Sequence, residues 1–238
     1  FTQDDAHVFC TENQLNSEIK TLIDLIISTY KDFGFDKVNI ELSTRPKDYI
    51  GNIKDWNKAE KILEPSLKKK KIKFKINKGG GAFYGPKIDF HIKDVLNRSW
   101  QLGTIQLDFS MPERLDAKFI DEDGKEKTPI MLHRAVIGSL ERFIGILIEH
   151  YAGAFPLWLS PIQVNIIPVS DKYIKPAKKI EEQINKANIR TQLDDRTESV
   201  GKKISDSIKQ KILYAIVIGE EEIKSKKLPI RTRGKKKI

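Results

Sequence analysis

His133-Arg134-Ala135-Val136-Ile137-Gly138-Ser139-Leu140-Glu141-Arg142-Phe143-Ile144-Gly145-Ile146-Leu147-Ile148-Glu149 is the most informative stretch of the chain. Its apolar residues leave no broad polar side on a helix drawn through it, so the pattern predicts a buried helix. Yet Glu141 and Arg142 stand in its middle. A guanidinium keeps its proton in a protein, and burying it alone is costly. Arg142 therefore calls for an anionic partner. A carboxylate such as Glu141 and a ligand phosphate both meet that need.

Outward from this stretch, the periodicity predicts a helix over 15–33, with Leu15, Ile19, Leu22, Ile23, Ile26 and Ile27 at helical spacing and Gly34 as its stop. Val38–Leu42 alternates as a strand. A second helix covers 56–67 and meets a candidate break at Pro65. Ile72–Ile76 alternates again, lysines on one face and apolar residues on the other. Further strands follow at 88–92, 100–109, 117–120 and 130–132, with Asp123-Gly124 as a hairpin turn. Strands in succession without intervening helices imply an antiparallel sheet. Within 100–107, simple alternation puts Gln101, Gly103 and Ile105 on one face and Leu102, Thr104 and Gln106 on the other.

Pro156 and Pro161 mark a change of pattern, so the reading divides the chain into 1–157 and 158–238. Beyond lie strand 164–169, helix 174–187, strand 191–193, helix 200–211 and strand 215–218. That alternation implies a small sheet with parallel strands and covering helices. The fold class expected is α+β, followed by a small α/β domain.

Composition narrows the function. The chain of 238 residues is 39% hydrophobic and 32% charged, and no apolar run approaches the roughly 20 residues that cross a bilayer. One cysteine, Cys10, excludes an internal disulfide and fits a reducing, cytoplasmic setting. The chain opens with Phe1 rather than Met and reads as a stretch of a longer protein. Residues 158–238 hold 19 Lys and Arg against 10 Asp and Glu, nearly the whole net charge of +10. Such a segment suits a nucleic-acid partner, or simply a solvated lysine-rich surface.

Two of the four histidines, His7 and His133, sit beside unusual polar clusters. Imidazole suits zinc, but a catalytic zinc site usually has three protein ligands and an open position, which two histidines do not complete. Cys10, three residues past His7, is a weaker chelating candidate. Gly79-Gly80-Gly81 precedes Phe83-Tyr84-Gly85-Pro86-Lys87, where glycines allow close backbone approach. An unremarkable surface loop would read the same way.

Taken together, Phe1-Thr2-Gln3-Asp4-Asp5-Ala6-His7, Gly79 through Lys87, Trp100 through Phe109 and His133 through Arg142 resemble the threonyl-tRNA synthetases, collinearly as far as Arg231-Thr232-Arg233-Gly234. The resemblance implies a class II synthetase antiparallel sheet flanked by helices, incomplete at its N-terminal side, and an α/β anticodon-binding domain. It implies ATP-dependent activation of L-threonine to threonyl-adenylate and transfer to the 3′ end of tRNA(Thr), with Mg2+ accompanying ATP and a homodimer in the complete protein. By position, Arg142 answers to the arginine of the third signature motif, with ATP phosphates as the anion it lacked. Ser139 and Gln101 fall at ATP-binding positions. Lys87 and Gln101 fall where a cation and an amide stabilise the transferring acyl group. His7 and His133 match two of three zinc ligands. Gln3, Asp5, Tyr84 and Gln106 match threonine-binding positions, and Glu222 and Arg231 anticodon-contacting ones.

The chain also departs from that pattern. The third zinc ligand, a cysteine, falls upstream of Phe1, and Cys10 does not occupy its position. The first signature motif and the opening of the second are missing, so the isolated stretch is expected to be inactive. Thr197 and Ser205 stand where relatives carry RNA contacts. The competing reading is a non-catalytic RNA-binding relative; retention of His7, His133 and Arg142 together favours the enzyme.

Overall fold

The computed structural model describes residues 1–225 and 227–235, which fall into two compact units, Phe1–Leu147 and Ile148–Ile238. The first holds β1 (Ala6–Cys10), α1 (Glu12–Asp32), β2 (Val38–Ser43), α2 (Ile53–Lys69), β3 (Phe74–Asn77), β4 (Lys87–Lys93) and β5 (Ser99–Asp108). Next come α3 (Met111–Arg114), the small hairpin β6 (Phe119–Ile120) and β7 (Glu126–Lys127), β8 (Ile130–Ala135) and the start of α4 (Leu140–Tyr151). Six strands form one sheet in the order β1-β8-β5-β4-β2-β3. Every pairing is antiparallel except that of β2 with the edge strand β3.

Thr11 starts α1 with a capping box: its hydroxyl accepts from the Gln14 N–H while the Gln14 side chain accepts from the Thr11 N–H. One stripe of α1, with Leu15, Ile19, Ile23, Ile26 and Tyr30, is fully buried. Each such side chain contributes about 2 kcal/mol on burial. Tyr30 donates a hydrogen bond to the Val136 carbonyl at 2.7 Å. A Cβ on Gly103 would fall 2.7 Å from the Tyr30 hydroxyl, so α1 lies against the face of β5 that carries Gly103. The opposite face is left for chemistry.

Three expectations need correction. The stretch 133–149 is not one buried helix. Its first residues extend β8 through Ala135, Gly138 turns the chain at φ +67°, and α4 begins only at Leu140. In α4, Phe143, Ile146 and Leu147 are buried, while Ile144 and Ile148 are 51% and 47% exposed. The apolar run thus mixes a strand, a turn and an amphipathic helix. The second helix passes Pro65 without breaking. Pro65 is exposed, so the carbonyl it orphans can turn to water, while Leu63 and Leu67 hold the helix down on either side. And Ile76 in β3 is 53% exposed rather than tucked under the sheet.

The second unit contains β9 (Val164–Pro168), α5 (Ile174–Lys186), β10 (Thr191–Leu193), α6 (Val200–Lys209), β11 (Tyr214–Ile218), α7 (Glu220–Ser225) and β12 (Ile230–Thr232). Its sheet order is β10-β9-β11-β12. The first three strands are parallel, as alternation with helices requires, and β12 returns antiparallel along β11. Val164, Ile166, Ile216 and Ile218 pack with Tyr173 and Ala177 into its core. The short α7 and β12 carry too few residues for a periodic signal. The pattern change read at 158 lies after α4, whereas the two units part within that helix.

Candidate active site

Register builds the site. Across the large sheet, Ser43 opposes Lys87, Lys87 opposes Gln106, Gln106 opposes His133, and His133 opposes His7. Directly opposed residues project to the same face, so five polar side chains from five strands stand in one row. A second row, two residues along, runs from Asp89 to Thr104 to Ala135. Both rows lie opposite the face that α1 covers.

Simple alternation fails at Gln101. His91 pairs with Gln101 and Phe90 with Gly103, so Leu102 is an extra residue on β5, a β-bulge. The extra residue turns Gln101 onto the face of Thr104 and Gln106, against the expectation that it points the other way. Its amide Nε2 donates to Thr104 Oγ1 at 2.9 Å and to Asp89 Oδ1 at 2.6 Å. Asp89 is buried and also accepts from Ser43 Oγ at 2.6 Å and Thr104 Oγ1 at 3.2 Å; Lys87 Nζ lies 3.1 Å from Oδ1.

An open cavity of about 620 Å³ lies on this face. Gln3, Asp5, Tyr84, Gln101, Gln106, His133, Ser139 and Arg142 all line it. His7 and Lys87 do not: His7 touches the lining ring of His133, and Lys87 is linked to the lining amide of Gln101 only through Asp89. The Tyr84 hydroxyl donates to Gln106 Oε1. Burial, then the Asp108 and Asp5 carboxylates, push the Tyr84 hydroxyl's pKa up, keeping it a donor.

Arg142 is exposed, which corrects the picture of a buried cation. One guanidinium nitrogen donates to the Gln101 carbonyl at 3.1 Å, and the group lies over the Trp100 ring at 5.5 Å. Glu141 turns elsewhere, accepting from the Thr2 N–H at 2.8 Å and the Ser139 hydroxyl at 2.9 Å. The internal Arg–Glu pair is therefore absent from these contacts. Asp4 makes the turn below them: its carboxylate accepts from the N–H groups of Val136, Ile137 and Gly138 at 2.8–3.1 Å.

The rings of His7 and His133 meet edge to face with centroids 4.6 Å apart. His133 Nε2 lies 2.9 Å from Asp108 Oδ2. Burial raises the Asp108 carboxyl's pKa, but hydrogen bonds from His133 and the Met111 and Ser110 N–H groups outweigh that and hold it below the usual range. A carboxylate behind one imidazole is the usual support of a metal-binding histidine. The pair thus fits two positions of a zinc site. Among the described residues, no group of three His, Cys, Asp or Glu converges to complete one. Cys10 does not serve: three residues along β1 from His7, it projects to the opposite face and is buried. Burial and Glu18 also push its thiol's pKa up, away from the thiolate a metal needs.

Sequence reasoning missed Asp4, Asp89, Thr104 and Asp108 as parts of this constellation. Asp89 had a signal, two residues from Lys87 on an alternating strand. In the second unit, Arg231 is exposed on β12 opposite Ala215 and lines a groove with Ile204, Ile208 and Arg233. Glu222 is not in that groove; its carboxylate accepts from the Gly219 N–H at 2.9 Å at the start of α7.

Residues 1–151 match the family model described as tRNA synthetase class II core domain (G, H, P, S and T), and 163–238 match the one described as Anticodon binding domain. The chain belongs to the class II tRNA synthetases. Within that family, it is 50% identical to a protein named Threonine--tRNA ligase from Halorhodospira halophila over 98% of this chain and 36% of that protein. The protein of the same name from Thermotoga neapolitana is 50% identical over 100% and 37%. A crystal structure titled as the RNA binding domain of threonyl-tRNA synthetase from Cryptosporidium parvum Iowa II superposes with a TM-score of 0.91 at 38% identity, covering 98% of this chain and 59% of that one. The chain spans little more than a third of the length of these curated relatives.

Proposed function

We propose that the protein carrying this chain joins L-threonine to tRNA(Thr) through threonyl-adenylate, using ATP with Mg2+. The observation that supports it best is the convergence of His7 and His133, from distant parts of the sequence, at a cavity walled by Gln3, Asp5, Tyr84, Gln106 and Arg142. In this reading Asp5 faces the ammonium of threonine, and Gln3, Tyr84 and Gln106 shape its pocket. His7 and His133 hold zinc with a cysteine supplied from outside this chain. Zinc held there would supply a Lewis acid, the chemistry that tells a hydroxyl from a methyl group. Valine has nearly the shape of threonine, and only a site that must engage the hydroxyl rejects it strongly.

Arg142, already stacked on Trp100, offers its remaining donors to the ATP phosphates, with Ser139 and Gln101 beside it. Lys87 supplies positive charge near the acyl group in transfer. In the second unit, Glu222 and Arg231 meet anticodon bases, which are unpaired and open to stacking and edge contacts. The excess of lysine and arginine there suits an RNA partner. The complete protein works as a homodimer in the cytoplasm, and no helix among the described residues is long and apolar enough to cross a membrane.

The test is ATP–pyrophosphate exchange by the complete protein with threonine and with valine, together with its zinc content. Exchange driven by threonine, weak with valine and lost with His133→Ala, is the expected result. Equal use of valine, or full zinc content in His7→Ala and His133→Ala, refutes it.

A further inference from the structure

The polar cluster behind the cavity has one centre, the Asp89 carboxylate, 2% exposed. Oδ1 receives the Gln101 amide at 2.6 Å, the Thr104 hydroxyl at 3.2 Å and the Lys87 ammonium at 3.1 Å; Oδ2 receives the Ser43 hydroxyl at 2.6 Å. An ionised carboxylate only accepts, so the Gln101 atom that faces it must be the NH2 group and not the carbonyl. Thr104 spends its own proton on Asp89, which leaves its oxygen to accept the second Gln101 N–H at 2.9 Å. Both amide protons are then used inside the sheet. Among the described residues nothing donates to the remaining Gln101 Oε1, and Gln101 lines the cavity.

We propose that Asp89 is a positioning residue: it fixes the Gln101 side chain so that a carbonyl oxygen, not an amide donor, faces the substrate. Gln101 therefore accepts a hydrogen bond from a substrate O–H or N–H, such as a ribose hydroxyl, while its N–H groups stay out of reach of phosphate and acyl oxygens. Developing negative charge is left to Lys87 and Arg142. Free, a glutamine amide presents either end; the bulge at Leu102 brings Gln101 within reach of Asp89, and the carboxylate selects the end. This inference rests on the synthetase reading for its substrate and on the geometry alone for the amide.

Two measurements test it. In the complete protein, Asp89→Ala lowers kcat for threonine-dependent pyrophosphate exchange about 100-fold, the cost of a misplaced group. Asp89→Asn, which keeps an acceptor oxygen, recovers a large part of that loss. In a Gln101→Ala background the further loss from Asp89→Ala shrinks to under about tenfold, since groups that act as a unit are not additive. Losses that multiply in full, or Asp89→Asn as poor as Asp89→Ala, overturn the proposal. In the 238-residue chain, the Gln101 side-chain amide protons, assigned by NMR, exchange slowly with solvent and lose that protection in both Asp89→Ala and Thr104→Val. Unchanged protection in both variants overturns it as well. Absence of any threonine-dependent exchange in the unmodified protein refutes the synthetase reading and leaves the amide measurement to decide the role of Asp89.

Discussion

His133 Nε2 sits 2.9 Å from the buried Asp108 carboxylate, and that contact fixes how the imidazole is turned. With one ring nitrogen committed to Asp108, Nδ1 is the atom left for a ligand. Asp108→Asn in the complete protein is expected to weaken zinc affinity by about 10- to 100-fold while both histidines remain. Competition with a chromophoric chelator measures this.

Asp108 also sets an acid limit. Its folded pKa lies below the ordinary carboxylate value, so the native state resists protonation more than the unfolded chain does. The stability it contributes is complete above the unfolded value, roughly pH 4, and is lost as pH falls through the lowered folded value. Urea midpoints taken between about pH 6 and pH 3 should fall less steeply in Asp108→Asn than in the parent chain.

Two glycines predict opposite signs. A Cβ at Gly85 would lie 1.9 Å from the Leu107 carbonyl oxygen, which is backbone and cannot swing away. Gly85→Ala should cost more than about 3 kcal/mol, among the severe single substitutions. At Gly145, inside α4, nothing among the described residues outside the helix's own nearby backbone lies within 4 Å of the added carbon. Gly145→Ala should stabilise by about 0.5–1 kcal/mol through helix propensity and a less free unfolded chain. Chemical denaturation reads both.

Arg142 is exposed, and its guanidinium contacts are one hydrogen bond to the Gln101 carbonyl and the face of Trp100. Arg142→Ala should change stability by less than about 1 kcal/mol. In the same protein it should lower kcat/KM for ATP by about 100-fold, the scale for removing one well-placed donor. Pyrophosphate exchange at varied ATP separates the two.

Arg231→Ala should cost about 1–3 kcal/mol in binding tRNA with the cognate anticodon and much less with a changed anticodon. Titrations with both RNAs, at stated salt, check it. A uniform loss with a smaller salt dependence would instead mark Arg231 as a phosphate contact.

Much of this was legible in the chain itself. Leu15, Ile19, Ile23 and Ile26 repeat at one helical period, and Lys87 to Ile92 alternates, so α1 and β4 announce themselves. The turn at Gly138 did not, because Val136 and Ile137 carry the apolar pattern straight through from strand to helix. The bulge at Leu102 was hidden because alternation continues on either side; Gly103, an isolated glycine within a strand, was its one signal. The buried carboxylates Asp89 and Asp108 were hard to read for a different reason, Lys87 two residues away being the one local sign of Asp89. The partners that give each its role, Ser43, Gln101 and Thr104 for Asp89 and His133 for Asp108, come from other strands, and no spacing along one strand reveals a neighbour across the sheet.

The row from Ser43 through Lys87, Gln106 and His133 to His7 has a consequence for how the protein can change. Gain or loss of one residue inside any of these strands would reverse the side on which everything beyond it emerges. A substitution along the row alters one side chain, whereas a length change within a strand re-aims every side chain beyond it, as the extra residue at Leu102 re-aims Gln101; insertions that spare the row belong in the connecting loops. The same parity means β1 has to dock in its one correct alignment before the two imidazoles can meet.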